Sequence, residues 1–197
     1  ELKKELESIL GFSPQHHAIV DLEAFAKLVN AVGGVEFDVP QDMDMDDPTQ
    51  NLHIHLRKGR QILNGDKALQ LVRFRGYPSA DIGRMETQQK FLKALAKKLL
   101  KTSNIPKIGK FMDIFQQDVK TDLSLRDLQW FARQAMGLNP ETDLTVQTLP
   151  YIKDGNYQGQ NYVYLAPAEV VSLVNRTINP YTTDITLEDV KIIRLED

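Results

Sequence analysis

The chain has 197 residues, of which 42% are hydrophobic and 26% are charged, with a formal net charge of −3 and no cysteine. This length allows one globular domain, or one domain with a short appendage, and is ample for a sizeable core. The absence of cysteine excludes disulfides, thiol catalysis and Cys-ligated metals. The slightly acidic balance argues against a dedicated nucleic-acid binder, which is usually basic. No apolar run is long enough to span a bilayer.

The predicted elements alternate between helices and strands along the chain. Apolar periodicity, caps and turn signals predict helices over residues 2–10, 22–32, 66–71, 82–101, 108–117, 125–136 and 168–178. Alternating or β-branched runs predict strands over residues 16–21, 35–39, 52–56, 72–75, 144–149, 162–165 and 190–195, and residues 41–50 are predicted to form an acidic loop. This interleaving, without repeats, predicts a layered α/β or α+β domain.

Residues 71–91 concentrate arginine side chains between two apolar flanks. If residues 72–75 form a strand, Arg73 and Arg75 point to the same side of it, and in the following helix Arg84 and Gln88 lie one turn apart on one face. Several guanidinium groups near one corner repel each other unless an anion lies among them, and the planar Arg fork suits phosphate oxygens. The segment therefore suggests a phosphate clamp.

A purely structural interpretation of the same residues stays open. Arg73 can be an ordinary sheet-surface residue, and Asp81 can be the N-cap of the long helix, where its carboxylate accepts backbone N–H bonds. Charge and spacing alone do not decide between the two interpretations.

Aspartate and histidine residues between positions 42 and 55 invite a metal-site interpretation. Asp42, Asp44 and Asp46 have the spacing that begins an EF-hand loop, but Asp47 stands where that loop needs glycine and His53 where it needs glutamate. His53 and His55 share one strand face, yet the sequence places no third ligand beside them, so a surface histidine pair is favoured. No metal ligand is assigned from the sequence.

Three segments in linked order resemble the LytR-CpsA-Psr family of cell-wall glycopolymer transferases. They are FAKLVNAVGGVEFDVP (25–40), LHIHLRKGRQILNGDKALQLVRFR (52–75) and DIGRMETQQKFLKAL (81–95). The resemblance implies a layered α-β-α domain with a central mixed sheet over residues 1–180, without the family's amino-terminal strands, followed by a carboxy-terminal tail over 181–197. The order of GGV, LNGDKAL, RFR and DIGR is more specific than any single motif.

Proteins of this family transfer a glycan phosphate from a polyprenyl pyrophosphate carrier to peptidoglycan. The resemblance assigns catalysis to Arg73, Arg75 and Asp81, and pyrophosphate binding to Arg73, Arg75, Arg84 and Gln88. It also implies an apolar slot for the isoprenoid, for which the candidate lining residues are Leu28, Val32, Phe91 and Leu95, although each of these also suits an ordinary core.

Two departures from the family pattern limit this transfer of roles. Thr87 stands where the family has a second arginine, so that one phosphate contact is expected to be missing. The family's amino-terminal aspartates and arginine, which hold Mg²⁺ and phosphate, have no counterpart here. We therefore expect Mg²⁺ in the full-length protein with its ligands outside this chain, a membrane anchor upstream of Glu1, and little activity from this chain alone.

The resemblance implies partners and a location as well as a reaction. The expected partners are a polyprenyl pyrophosphate-linked glycan (teichoic acid, capsular polysaccharide or another polymer), peptidoglycan and, through an upstream anchor, a membrane surface, with no nucleic acid. The expected location is the extracytoplasmic face of the membrane of a Gram-positive bacterium. The alternatives are a non-catalytic module that binds polyprenyl phosphate or a wall polymer, and a transcriptional regulator, against which the acidic balance speaks.

Overall fold

A computed structural model describes residues 1–78, 80–101, 107–157 and 159–193, except for the side chains of residues 80, 81, 108, 157, 160 and 161. The helices of this part of the chain are α1 (Leu2–Leu10), α2 (Leu22–Ala31), α3 (Gly65–Arg73), α4 (Ala80–Leu99), α5 (Ile108–Asp118), α6 (Leu125–Met136) and α7 (Pro167–Thr177). The strands are β1 (Ala18–Val20), β2 (Val35–Val39), β3 (Met43–Asp47), β4 (Leu52–Leu56), β5 (Gly59–Leu63), β6 (Val119–Thr121), β7 (Tyr151–Tyr157) and β8 (Gln160–Leu165). No helix among these residues has the length and apolar character needed to cross a membrane.

The chain divides into two compact units, one formed by His17–Val146 and the other by Glu1–His16 together with Gln147–Asp197. In the second unit, β7 and β8 form an antiparallel hairpin, and α7 buries Val170 and Val174. The segment after α7 is tied to α1 by the backbone bond from Lys191 N–H to the Ser8 carbonyl, 2.7 Å long. The proposed boundary at residue 180 stays a prediction.

The main sheet structure of the larger unit is a long antiparallel hairpin that is interrupted in the middle, and β1 pairs with β6 in a separate short sheet. β2 pairs with β5, from Val35 opposite Leu63 onwards, and β3 pairs with β4. The register changes by one residue between the two halves, where Pro40 follows β2 and cannot donate a ladder hydrogen bond. Short connections favour this antiparallel pairing, because a parallel pair needs a crossover of a dozen residues or more.

The core of the larger unit lies between the buried face of this hairpin and helices α2, α3 and α4. It contains the fully buried Met43, Ile54, Leu63 and Leu71, with Phe91 of α4 also buried. Phe91 contacts the rings of Phe25 and Phe37 at centroid distances of 5.9 and 5.4 Å. These contacts hold α4 against the hairpin and so fix the helix that carries Arg84 and Gln88.

The α+β class is confirmed, and most elements match their predictions closely. The helix over 2–10 ends at Gly11 in the left-handed conformation, and the helix after Ser124 has the predicted capping box with Asp127. The described strands pair as four two-stranded antiparallel sheets, where we expected one central mixed sheet.

Four local predictions were wrong. Residues 72–75 are not a strand, because α3 continues to Arg73. Residues 43–47 are a strand instead of loop, since Met43 and Met45 alternate with aspartates against β4. Residues 144–149 form no strand, and the strand lies instead at Tyr151–Tyr157; residues 190–193 form none either, while 194–197 lie outside the described part.

Candidate functional site: an arginine cleft

A cleft of about 370 Å³ brings together the arginines predicted from the sequence. Its lining residues are Leu22, Met45, Asp47, Gln50, Leu52, Val72, Arg73, Arg75, Arg84 and Gln88. The two arginines near the end of α3 and the pair on α4 therefore share one concave surface. This is the arrangement that the clamp interpretation requires, reached through different local structure.

The end of α3 positions Arg73 and Arg75. The helix begins at its N-cap Asn64, whose side chain accepts the N–H of Lys67, and it ends before Phe74, which is extended and buried. Arg73 is thus the last helical residue, while Arg75 belongs to the extended segment that follows. The two side chains reach one cleft because the backbone leaves the helical conformation at Phe74 between them, and not because they share one face of a strand.

Two side-chain amides fix the walls of the arginine cleft. Gln88 donates from Nε2 to the Val72 carbonyl over 2.7 Å and so joins α4 to the last turn of α3. Gln41 donates from Nε2 to the Gly76 carbonyl over 3.0 Å and holds the segment that follows Arg75. The Gln88 bond satisfies a carbonyl near the helix end, where intrahelical partners run out.

The charges of the cleft favour an anion. Three guanidinium groups and the Asp47 carboxylate line it, which gives a net charge of +2. Arg73 is half-buried and Arg75 exposed, and among the described residues no hydrogen bond or ion pair engages either side chain. Guanidinium groups within such a cleft raise the local concentration of anions and can hold phosphate oxygens in bidentate pairs.

Asp47 is a cleft residue that the sequence analysis missed. Its carboxylate caps the 3₁₀ turn Pro48–Gln50, where it accepts bonds from the backbone N–H groups of Thr49 and Gln50 and from both of their side chains. The hydrogen bond from the Thr49 hydroxyl is the main cause that lowers the pKa of Asp47. The Asp-Pro pair after the acidic run signals such a turn, but the proximity of the turn to the arginines depends on the hairpin.

A sequence model of the LytR_cpsA_psr family matches residues 1–179. The chain belongs to the LytR-CpsA-Psr family. It is 29% identical over 191 residues to the polyisoprenyl-teichoic acid–peptidoglycan teichoic acid transferase TagV of Bacillus subtilis, covering 93% of this chain and 48% of that protein. It is 30% identical over 151 residues to the regulatory protein MsrR of Staphylococcus aureus, covering 76% and 44%.

The crystal structure of B. subtilis TagV superposes with a TM-score of 0.68 at 27% identity and covers 90% of this chain and 67% of that one. The fold is therefore shared with a solved member of the LytR-CpsA-Psr family. The chain spans about half the length of the curated relatives, 48% of TagV and 44% of MsrR.

Thr87, at the position where the resemblance led us to expect an arginine, does not line the cleft. Its side chain is only 5% exposed and lies in the interior of the unit. The neighbouring Tyr77 hydroxyl is buried without the geometry of a hydrogen bond to any described group. Burial raises the pKa of the Tyr77 hydroxyl. The nearby Thr87 side chain lowers this pKa, but by less than burial raises it.

Of the predicted site residues, Arg73, Arg75, Arg84 and Gln88 lie together, and the Asp81 side chain lies outside the described part of the chain. The candidate lipid-lining residues Leu28, Val32, Phe91 and Leu95 are at most 9% exposed. They pack within the core of the larger unit, and none of them lines the arginine cleft.

A second cavity of the larger unit has an apolar lining. It measures about 300 Å³ and is formed by Leu99, Leu100, Lys101, Phe111, Met112, Phe115, Leu128, Phe131, Ala132, Ala135 and Met136. Arg84 and Leu99 lie on the same helix α4, fifteen residues apart, which corresponds to about 22 Å along the axis. The larger unit therefore has a charged cleft near one end of α4 and an apolar cavity near the other.

Proposed function

We propose that this chain is part of a transferase that moves a glycopolymer phosphate from a polyprenyl pyrophosphate carrier to peptidoglycan, and that the arginine cleft binds the pyrophosphate. The observation that carries the proposal is the convergence of Arg73, Arg75 and Arg84 on one cleft with net positive charge. The family, and the similarity to a protein named as a teichoic acid transferase, support a teichoic acid or a related anionic glycan as the polymer.

The chemistry of phosphoryl transfer suits these residues. The bond from the glycan-bearing phosphorus to the oxygen that bridges the two phosphorus atoms breaks, and polyprenyl phosphate leaves with that oxygen. A new P–O bond forms to a hydroxyl oxygen of the acceptor, and the hydroxyl proton passes to the leaving phosphate or to water. Such a reaction depends on positioning and on neutralising charge on the phosphoryl oxygens. Arg73 and Arg84 bind those oxygens from two walls of the cleft, Arg75 binds from its rim, and Gln88 keeps the two helices at a fixed separation through Val72.

The described lining of the arginine cleft does not form a Mg²⁺ site by itself. Mg²⁺ in phosphoryl-transfer sites is held by one or two carboxylates together with substrate phosphates and water. Asp47 is the one carboxylate among the described lining residues, and its two oxygens already accept bonds from Thr49 and Gln50. Mg²⁺ thus remains an expectation for the full-length protein, and we assign it no step here.

The isoprenoid tail requires an apolar surface. Leu28, Val32, Phe91 and Leu95 remain candidates, but they are packed in the core, so that a tail could contact them only if neighbouring side chains moved apart. The apolar cavity around Phe111 offers space without such a rearrangement. A site facing a polyprenyl carrier and peptidoglycan belongs at the extracytoplasmic surface of the membrane, and we propose that location.

Binding of a short-chain polyprenyl pyrophosphate to this chain tests the cleft directly by isothermal titration calorimetry. A hydrogen bond to a charged group contributes about 1.5–3 kcal/mol, so Arg73→Ala or Arg84→Ala should each weaken binding roughly 10- to 100-fold. The matched control is Arg133→Ala, an exposed arginine of α6 outside the cleft, which should bind normally. Unchanged binding after Arg73→Ala and Arg75→Ala are combined would show that the cleft is not the pyrophosphate site.

A second measurement separates a transferase from a non-catalytic module that binds polyprenyl phosphate or a wall polymer. Full-length protein is incubated with a polyprenyl pyrophosphate-linked glycan and Mg²⁺, and release of polyprenyl phosphate is followed. The transferase should release it at a rate that falls sharply in Arg73→Ala. Tight binding without release would support the binding module, which the departure at Thr87 also favours.

A further inference from the structure

The solvent face of the β3–β4 hairpin carries two aspartates opposite two histidines. In the antiparallel register Asp44 lies opposite His55 and Asp46 lies opposite His53, and all four side chains are exposed. The other face of the hairpin is mostly apolar and includes the buried Ile54. The sequence alone gave the histidine pair no third ligand, and strand pairing supplies it.

The side-chain atoms lie close enough together to form a metal site with an orienting carboxylate. One ligand atom from each of Asp46, His53 and His55 lies within 4.8 Å of the others. Asp46 Oδ1 is 2.6 Å from His53 Nδ1 and 3.5 Å from His55 Nε2. Two ligands of a tetrahedral zinc ion at bond lengths near 2.05 Å are roughly 3.3 Å apart, so small side-chain rotations can accommodate the ion.

The second ring nitrogen of His55 has its own partner. His55 Nδ1 lies 2.6 Å from Asp44 Oδ1, while Nε2 faces Asp46. Histidines that bind metals usually donate their other ring N–H to a carboxylate, which fixes the tautomer and the orientation of the ring. Asp44 is not one of the three clustered residues, and its contact with Nδ1 leaves Nε2 as the nitrogen of His55 that would face an ion.

We propose that Asp46, His53 and His55 bind a divalent metal ion that accepts imidazole ligands, such as Zn²⁺, and that Asp44 positions the ring of His55. Two imidazoles and one carboxylate suit Zn²⁺, whereas Mg²⁺ and Ca²⁺ prefer oxygen ligands alone. Three protein ligands leave the fourth position of a tetrahedral ion open to water or to a ligand atom from another molecule.

This site is separate from the arginine cleft. Met45 and Leu52 line the cleft, and they alternate with Asp46 and His53 along the same two strands. Because neighbouring side chains of a strand point to opposite faces, the ion and the pyrophosphate would bind on opposite sides of the hairpin. The proposal therefore does not depend on the function proposed above.

The test uses metal-free protein without a histidine tag. Zn²⁺ is titrated into the protein in competition with a chromogenic chelator, and the ligand-field absorption of added Co²⁺ is recorded in a second experiment. We expect one ion per chain. His53→Ala and His55→Ala should each weaken binding at least tenfold, and Asp44→Asn should weaken it about tenfold while one ion still binds per chain. Since these side chains are exposed, the variants should fold, and circular dichroism checks this.

The matched control is the double variant His16→Ala and His17→Ala, which removes the other two histidines of the chain. His17 also contacts a carboxylate, with its Nδ1 3.0 Å from Asp122, and so tests whether any His-Asp pair suffices. The control should bind zinc like the unaltered chain. Absence of zinc and cobalt binding, equal loss in the control, or unchanged binding in Asp46→Asn and His53→Ala would each overturn the proposal.

Discussion

Replacing Phe91 with alanine should reveal whether this side chain is a core residue or lines a lipid slot. The ring is fully buried in α4 and contacts Phe25 and Phe37 at 5.9 and 5.4 Å. Truncation of a buried Phe costs about 3–5 kcal/mol, and each aromatic pair contributes about 0.5–1.5 kcal/mol beyond area burial. With two such pairs, we expect a loss in the upper half of that range, a large share of the roughly 5–15 kcal/mol typical of a domain.

Urea unfolding followed by circular dichroism and by the fluorescence of Trp130 measures this loss. Trp130 is the one tryptophan of the chain and belongs to the same unit as Phe91. With a slope of about 2 kcal/mol per molar urea, the midpoint should fall by about 2 M. Leu92→Ala is the matched control, since this neighbour is 50% exposed and its truncation should cost far less.

The same pair of variants distinguishes the two roles of Phe91. A core residue should affect unfolding, while the affinity of the remaining folded protein for a polyprenyl phosphate stays unchanged. Loss of less than about 1 kcal/mol in Phe91→Ala would refute the packing argument. A drop in lipid affinity without loss of stability would instead favour the lipid-slot role.

Two further predictions concern local packing and pH. Gly65→Ala should destabilise the protein by about 1–3 kcal/mol, because a Cβ at this position would lie 2.5 Å from the Ala26 carbonyl oxygen. A Cβ at Gly109 would have no atom within 4 Å, so Gly109→Ala should leave the stability unchanged or raise it. Equal urea midpoints for the two variants would contradict this prediction. The hydrogen bonds from Arg60 lower the pKa of Glu36 in the folded protein. The stabilisation that this ion pair contributes is therefore present above the pKa of an unfolded Glu, near 4.3, and is lost as the pH falls through the lower pKa of the folded state. The difference in free energy of unfolding between the unaltered chain and Glu36→Gln, measured by urea titration at several pH values, should therefore shrink on acidification. A difference that grows as the pH falls would contradict the role given to the Arg60–Glu36 pair.

The sequence alone determined the elements whose signals are local. Ser124 and Asp127 form their capping box within four residues, and Gly11 ends α1 in the left-handed conformation that glycine favours. The linked motifs also identified the family, because their order and spacing are written directly in the chain. Arg73, Arg75, Arg84 and Gln88, which line the arginine cleft, were likewise singled out from the sequence, although the strand assumed for residues 72–75 was wrong.

The tertiary structure decided what depends on contacts between distant parts of the chain. Whether α3 stops before Arg73 or includes it depends on the burial of Leu71 and Phe74 against the hairpin and on the bond from Gln88 to Val72, none of which is a local signal. The pairing of β3 with β4 placed Asp47 in the cleft and set aspartates opposite the two histidines. Aspartate is a poor strand former, so the sequence predicts a loop over residues 43–47. The strand forms because Met43 and Met45 pack in the core.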